Sequence, residues 1–540
     1  PASLQSPLAQ ALKLEQLARS FLLAESRPHH WPVFASELEQ MRQLDIPFFT
    51  HPIDGDALHL NEAEWQLPGF LETSGLASAR ERLRQLSPEE IEFQMKLIAG
   101  STSARVLRGS ETDVRKSIAT DIKSVINQGI TSDGANNAAV AIFNRLDEMA
   151  ICDSNGQMEW LGMDLGADGE SFSFGPVGLS LYGGSIGIAC FEACLRRQDL
   201  SPAIGHSLAS GILIAMEPLM SQQSGDSRLR WWRDQALGIS GCGGILLGLQ
   251  QLGRGDWVDV LLDAALPRFI EADQQLDVIG GSAGLIGALL AQKSEAALSL
   301  AVTAGDHLLE RQQPQGSWLS GRDTKGLLGF SHGTAGYAAA LARLHASTGE
   351  ERFRKGAQAA LAYERSFFQV DQGNWPDFRD PSKAADAEPT FMVAWCHGAP
   401  GIALGRACLW GTDLWDQSCE EEIRVAIQTT LAQPESRMDH LCCGGLGLMA
   451  VLEAVVSGPW CTDAETHSMA QQQADRYRAS ALERCSGVSL DLQCFQTQEG
   501  SLFLPGLMTG LSGMGLALMN DQRSQRVLWN LISSGLFPPQ

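Results

Sequence analysis

The chain has 540 residues, 44% of them hydrophobic and 19% charged, an ordinary balance with ample material for a core. Its formal net charge of −23 argues against a nucleic-acid partner, because phosphate contacts need a basic surface, and gives no reason to expect an anionic membrane as partner. No run of about 18 uncharged apolar residues occurs, so no membrane span is expected.

In chain order, the opening "PASLQSPLAQALKLEQLARSFLL" already follows an amphipathic helical pattern, with no Met and no signal-peptide pattern. The expectation is a fragment of a longer chain. "DIPFFTHPIDGDALHL" at 45–60 sets Asp-Gly between two short apolar stretches, a hairpin signal. In "LSPEEIEFQMKLIAGS" at 86–101, Ser87 and Glu90 form a Ser-x-x-Glu capping box, so a helix starts there. The polar "STSARVLRGSETD" at 101–113 is the expected boundary, which divides the chain into 1–112 and 113–540.

Beyond it one corner recurs: a Gly-x-x-Gly turn opening an apolar run. The first glycines are Gly184, Gly241, Gly281, Gly333, Gly398, Gly444 and Gly510, separated by 57, 40, 52, 65, 46 and 66 residues. Each interval holds two ordinary helices of about 11–12 residues plus loops. The runs after the corners are rich in Ala, Leu, Ile and Gly and poor in charge, as buried helices are. Polar stretches between them, such as 294–313, suit outer helices. Few alternating Val/Thr/Tyr-rich segments intervene, so the unit is helical. The predicted fold is all-α: seven inner and seven outer helices closing as an α/α toroid, with the seven turns gathered at one end.

Twelve cysteines are present. A long chain without a secretion signal, expected in the cytoplasm, should keep them reduced, which favours metal binding or catalysis over disulfides. "AWCHGAPGIALGR" at 394–406 and "DHLCCGGLGLMAVL" at 439–452 both place cysteine just before a corner. Such thiols are either small core residues beside tight turns or converge on one metal.

"GFSHGTAG" at 329–336, "WCHGAPG" at 395–401 and "CCGG" at 442–445, in this order, resemble the three signature motifs of LanC-like lanthionine cyclases. "WLGMDLG", "LYGGSIGIA" and "LDVIGGSAGLIGALL" are similar to the cyclase half of class II lanthipeptide synthetases, the LanM enzymes. The "DIPFF" segment and the helix ending near "IAGS" resemble the tail of the LanM dehydratase domain. Residues 1–112 would then be the remnant of that kinase-like domain. The Cys-Cys-Gly variant resembles the prochlorosin synthetase subgroup.

The resemblance implies zinc-dependent, intramolecular Michael-type addition of peptide cysteine thiols to dehydroalanine or dehydrobutyrine, forming lanthionine and methyllanthionine. The implied partner is a dehydrated precursor peptide, leader plus core, and a monomer is expected. ATP and Mg2+ would serve only the missing dehydratase half.

Carried onto this chain, the resemblance makes Cys396, Cys442 and Cys443 the zinc ligands, three protein ligands with a fourth position open. Many members read Cys-His-Gly at the third motif; Cys443 replaces that histidine and would make the set three thiolates. His332 would be the acid/base, since imidazole titrates near neutrality. Asp277 would orient His332, and His397 would hydrogen-bond an enolate oxygen or a ligand sulfur. The plain alternatives are a structural His332, a helix-cap or turn Asp277, His440 as a loop residue and Trp395 as wall. Rival functions are a non-catalytic zinc- or thiol-peptide-binding toroid and another zinc α/α toroid that alkylates thiols. A glycosidase toroid would want paired carboxylates at these corners, and none is there.

Overall fold

The computed structural model describes all residues outside 1–5, 24, 27–29, 61–65, 110–131, 166–171, 201–206, 222–234, 264–265, 320–324, 380–387, 434–435, 437, 462, 486–491, 493–494, 498–499, 503 and 539–540. The chain forms two compact units, Pro1–Ala99 and Gly100–Gln540. The boundary expected at 112/113 lies outside the described residues.

In the first unit, α1 (Pro7–Leu22) packs on α2 (Trp31–Arg42), and Gln10 Nε2 donates to Met41 O at 3.1 Å. The Asp54-Gly55 turn exists, with Gly55 N donating to Pro52 O, but Thr50 and His59 pair only as an isolated antiparallel bridge. The regular pairing is between β1 (Leu58–His59) and β2 (Gln66–Leu67). After α3 (Gly75–Gln85) comes α4 (Pro88–Gly109), whose start is capped by Ser87 Oγ accepting from Glu90 N at 3.2 Å. The Glu90 carboxylate accepts instead from Gln94 Nε2.

The second unit takes in the end of α4 from Gly100 onward; its next described helix is α5 (Ser132–Met149), followed by the antiparallel ribbons β3 (Ile151–Cys152) with β4 (Met158–Glu159) and β5 (Leu161–Leu165) with β6 (Phe172–Pro176). The inner helices are α6 (Ser185–Arg197), α8 (Cys242–Gln251), α11 (Ser282–Gln292), α13 (Thr334–Thr348), α15 (Ala399–Ala407), α17 (Gly445–Val456) and α19 (Leu511–Leu518). Each packs on the next, and α19 packs back on α6, so the ring closes. The outer layer is α7 (Leu208–Met220), the pair α9 (Gly255–Asp263) and α10 (Leu266–Ala272), α12 (Glu295–Arg311), α14 (Glu351–Arg365), α16 (Gln417–Leu431) and α18 (Ala464–Cys485). The seventh outer position, beside α19, is taken by α5 from the start of the unit. This is the predicted α/α toroid, with one feature the repeat spacing did not show: the ring is stapled by its first helix.

The seven corner glycines are the N-caps of the seven inner helices. The second glycine of each turn has a packing cause. A Cβ there would meet the backbone carbonyl of the residue five or six positions earlier, as at Gly447 against Leu441. The two longest intervals each hold an antiparallel ribbon before the corner: β7 (Pro376–Asp377) with β8 (Thr390–Phe391), and β9 (Phe495–Thr497) with β10 (Gly500–Leu502).

All twelve residues of α17 are buried, whereas α14 buries one stripe, Phe353, Gly356, Ala357, Ala360, Leu361 and Glu364. Each fully buried Leu or Val contributes about 1.5–3 kcal/mol relative to exposure. Charges inside this wall are paired: Arg478 with Glu453, and Arg406 with Glu364 and Glu422. The last helix, α20 (Gln522–Ile532), and the tail after it contact the inner wall. Ile532 O accepts from Trp395 Nε1 at 3.0 Å, Ser534 Oγ donates to Gly284 O at 2.9 Å, and Leu536 O accepts from Arg343 Nε at 3.2 Å. Among the described residues no helix is long and apolar enough to cross a membrane.

Candidate active site

The corners are stitched to one another by backbone hydrogen bonds. One arc runs Ile239 N to Val278 O, Val278 N to Ser331 O and Ser331 N to Cys396 O; a second runs Cys442 N to Met508 O and Met508 N to Tyr182 O. The arcs meet at Cys396 and Cys442, where sulfur makes the connection. Cys396 Sγ lies 3.5 Å from Cys443 Sγ, and Cys443 Sγ lies 3.4 Å from Cys442 Sγ. All three sulfurs fall within 4.8 Å of one another and could hold a metal ion. Sulfurs bound at about 2.3 Å around a tetrahedral ion sit about 3.8 Å apart, so the spacing fits zinc.

Electrostatics point the same way. Three thiols this close, two buried and Cys443 half-buried, cannot all ionise without a cation. Hydrogen bonds from Cys396 and Cys443 drive Cys442 well below the usual thiol range, while the same contacts drive Cys396 and Cys443 well above it. Among the described residues no other trio of His, Cys, Asp or Glu is so arranged. Cys190, Cys194, Cys408 and Cys419 are buried in the wall, and burial pushes Cys408 up to about 12. Cys494 lies outside the described residues.

His332 is brought beside this cluster because its neighbour Ser331 binds the Cys396 carbonyl twice, through N at 3.2 Å and Oγ at 3.0 Å. Its Nδ1 lies 2.7 Å from Asp277 Oδ2. The other oxygen, Asp277 Oδ1, accepts from Gly280 N at 2.7 Å, so one carboxylate touches both the turn and the imidazole. Burial opposes charge on His332, but the adjacent Asp277 carboxylate outweighs it and raises the imidazole pKa. His332 keeps about a third of its side chain open, 36%.

His397 stacks near His332, ring centroids 5.6 Å apart. Burial, then the charges of Arg379 and His332, push its pKa down to about 3. Its Nε2 is buried with no hydrogen-bond partner. His440 is buried, and its Nδ1 accepts from Cys443 N at 3.3 Å, which shapes the Cys-Cys loop. Trp395 is buried wall.

The loops that present these groups are firmly held. Gly398 caps α15 at φ 79°, where a Cβ would meet Met392 O. Asn374 ties the β7–β8 ribbon to that corner: its Oδ1 accepts from Ala399 N at 2.9 Å and its Nδ2 donates to Met392 O at 3.2 Å. The Cys442–Cys443 loop is braced by Arg484, which grips the buried Asp439 carboxylate with Nε at 3.0 Å and with Nη2.

Three groups at the site escaped the sequence reading. Tyr182 OH donates to Cys442 Sγ at 3.1 Å. Burial first, then the neighbouring sulfur, raises its pKa well above that of free tyrosine, so the hydroxyl keeps its proton. Asp377 and Arg379 come from the β7–β8 ribbon, paired at 2.6 Å, with Arg379 Nη2 also 2.9 Å from Met392 Sδ. Burial works against the Asp377 charge, but Arg379 and His397 hold its pKa at about 2. A register signal existed for Tyr182. Counted back from the capping glycine, position −2 holds Tyr182, Cys396 and Cys442, and position −1 holds His332, His397 and Cys443. Asp377 and Arg379 lie on no such register.

A family profile described as lanthionine synthetase C-like protein matches residues 175–532. No curated protein sequence matches the chain. Among solved structures, the chain is similar to one titled nisin cyclase, at 20% identity over 66% of this chain and 93% of that one, with a TM-score of 0.49. It is also similar to an unsaturated glucuronyl hydrolase from Bacillus sp. GL1, at 14% identity over 73% of this chain and 97% of that one, TM-score 0.37. A third is the unsaturated glucuronyl hydrolase from Streptococcus agalactiae, at 11% identity over 77% of this chain and 98% of that one, TM-score 0.35.

Proposed function

Because the chain belongs to the lanthionine synthetase C-like family, we propose that it closes thioether rings in a peptide. A peptide cysteine thiol adds across the C=C bond of a dehydroalanine or dehydrobutyrine, giving lanthionine or methyllanthionine. One observation carries this reading: a three-sulfur cluster and a His–carboxylate pair meet at one end of a closed toroid.

Cys396, Cys442 and Cys443 would hold zinc and leave a fourth position open. Bound there, zinc would supply a Lewis-acid centre that acidifies an incoming peptide thiol and orients it. The chain's own groups then manage protons and position. The reaction forms one C–S bond, opens one C=C bond and moves one proton from sulfur to the α-carbon. His332, held in one orientation by Asp277, takes that proton and delivers it to the α-carbon. The two histidines are driven in opposite directions, His332 up and His397 down to about 3, the pattern of neighbouring groups given different tasks. Neutral His397 offers a hydrogen bond to the carbonyl oxygen on which enolate charge develops. Holding thiol and alkene in reach of each other accounts for much of the acceleration, since oriented reactions gain up to about 7–11 kcal/mol.

The substrate in this reading is a dehydrated precursor peptide, leader plus core. The LanM parentage, with residues 1–112 as the end of a dehydratase half that uses ATP and Mg2+, rests on the motifs quoted from the sequence. The test is a synthetic dehydrated peptide with free cysteines. Addition leaves the mass unchanged but removes a thiol, so iodoacetamide adducts counted by mass spectrometry report ring closure. The expected result is loss of one adduct per ring with the wild-type chain and retention with Cys396→Ala. Persisting thiols with zinc-loaded wild-type protein would overturn the reading.

A further inference from the structure

Three thiolates around a dication leave one excess negative charge. The Arg379 cation acts on Cys396 and Cys443, and the −2 register shows which group meets Cys442. Tyr182 reaches the cluster from the first repeat of the ring, 260 residues before Cys442 in the chain, and its O–H points at the Cys442 sulfur at 3.1 Å. The contact is built rather than incidental. Tyr182 O accepts from Met508 N at 2.8 Å, and Met508 O accepts from Cys442 N at 2.8 Å, so the backbones of donor and acceptor are locked through one shared residue. A phenol hydroxyl beside a metal-binding sulfur can only donate to it.

We propose that Tyr182 is a positioning residue for ring closure: its hydroxyl hydrogen-bonds Cys442 Sγ, draws charge off that ligand and keeps it in place while the fourth position exchanges peptide thiols. The inference rests on the cysteine cluster being the zinc centre of the proposed cyclase. Its consequence is an asymmetry among the three sulfurs. Cys442 is the weakest electron donor and the best anchored. Cys396 and Cys443, which among the described hydrogen bonds receive no O–H or N–H donor at sulfur, carry the electron density that keeps a peptide thiol reactive. Donors to ligand atoms are worth about 10–100-fold in metal affinity when removed.

The experiment uses the full chain with Tyr182→Phe, which keeps the ring and the backbone bond to Met508 and deletes only the hydroxyl. Cobalt replaces zinc as a spectroscopic probe, and zinc affinity is measured by competition with a chromophoric chelator. The expected result is a red shift of the sulfur-to-cobalt charge-transfer band, because a thiolate without its donor is easier to oxidise, and about tenfold or greater loss of zinc affinity. Tyr363→Phe, which loses a 3.1 Å bond to Gly326 O elsewhere in the unit, should move neither. If Tyr182→Phe does not fold, uniform 3-fluorotyrosine in the wild-type chain strengthens the donor and should shift the band to the blue. An unmoved band with unchanged affinity, in protein that binds one metal, overturns the role of Tyr182 and leaves the cyclase reading intact. Failure of the wild-type chain to bind any metal overturns both.

Discussion

At the Gly241 corner, Cys242 stands one residue after the capping glycine, as the first residue of α8; at the Gly444 corner, Cys442 and Cys443 stand just before the glycine. Both corners have a buried cysteine and open a buried helix. Their thiols meet different surroundings. Burial pushes Cys242 up to about 12, a small hydrophobe in the wall. Cys442 accepts hydrogen bonds from the Cys443 thiol and a phenol, with Cys396 close by, and is driven below the usual range. A displacement of two or three residues across the glycine therefore separates packing from chemistry. The capping turn is the shared scaffold, and the two residues before it are where most of the proposed site residues stand.

The largest expected effect breaks that comparison directly. Cys442→Ala should abolish metal retention and ring closure, whereas Cys242→Ala should keep one metal per chain and cost about 1 kcal/mol of stability for the small cavity. Metal analysis and denaturant melts of the two proteins check this. Equal metal loss in both would mean that corner position decides nothing.

His332→Ala comes next. It should retain metal and lose about 10²–10⁴-fold in ring-closure rate, the usual span for a removed acid/base group. Asp277→Asn should lose less, and its pH behaviour has a definite sign. The folded pKa of His332 is raised, so the charged His332–Asp277 pair stabilises the fold fully below the unfolded histidine pKa of about 6.5, and the gain disappears as pH rises through the folded value. The melting temperatures of wild type and Asp277→Asn should therefore differ most below about pH 6.5 and converge above the folded value. A gap that widens with rising pH would contradict the pairing.

The toroid was legible because its cause is repetitive: each inner helix needs the same close backbone approach, and glycine is the residue that permits it. Cys396, Cys442 and Cys443 stood out as thiols placed just before a corner, while their role as ligands and the choice of His332 and His397 came from the family resemblance. Asp277, four residues before its glycine and off both registers, came from the same resemblance. Tyr182 was on the register and was passed over, because a tyrosine beside glycines reads as packing until its hydroxyl is seen to face a sulfur. Asp377 and Arg379 were not legible at all. They arrive on a ribbon inserted in one of the longest intervals, and no periodicity says where an insertion folds. The closure of the ring by α5 was hidden for a related reason: pairing of the first helix with the last inner helix leaves no local pattern.

A smaller effect tests the scaffold itself. At Gly447 an added Cβ would collide with Leu441 O, in the loop that carries Cys442 and Cys443; at Gly175, on β6, an added Cβ meets nothing within 4 Å. Gly447→Ala should cost about 1–3 kcal/mol and weaken metal binding as the loop shifts. Gly175→Ala should be near neutral.

The finest difference concerns Cys443 alone. Cys443→His exchanges a thiolate for a neutral imidazole at position −1, the register where His332 and His397 already stand at neighbouring corners. Two thiolates and an imidazole balance the charge of zinc, so the metal should stay. A peptide thiol in the open position would then hold less negative charge and be a poorer nucleophile. The expected outcome is unchanged metal content with slower closure, severalfold for rings that form slowly and little for rings limited by peptide binding, the mutant-rate pattern of an interaction felt in the transition state. Time courses of thiol loss for a fast and a slow ring in one peptide separate the two cases. Equal or faster closure of the slow ring would mean that the third thiolate sets affinity or geometry rather than reactivity, and that charge at the −1 register is not what distinguishes this corner from the others.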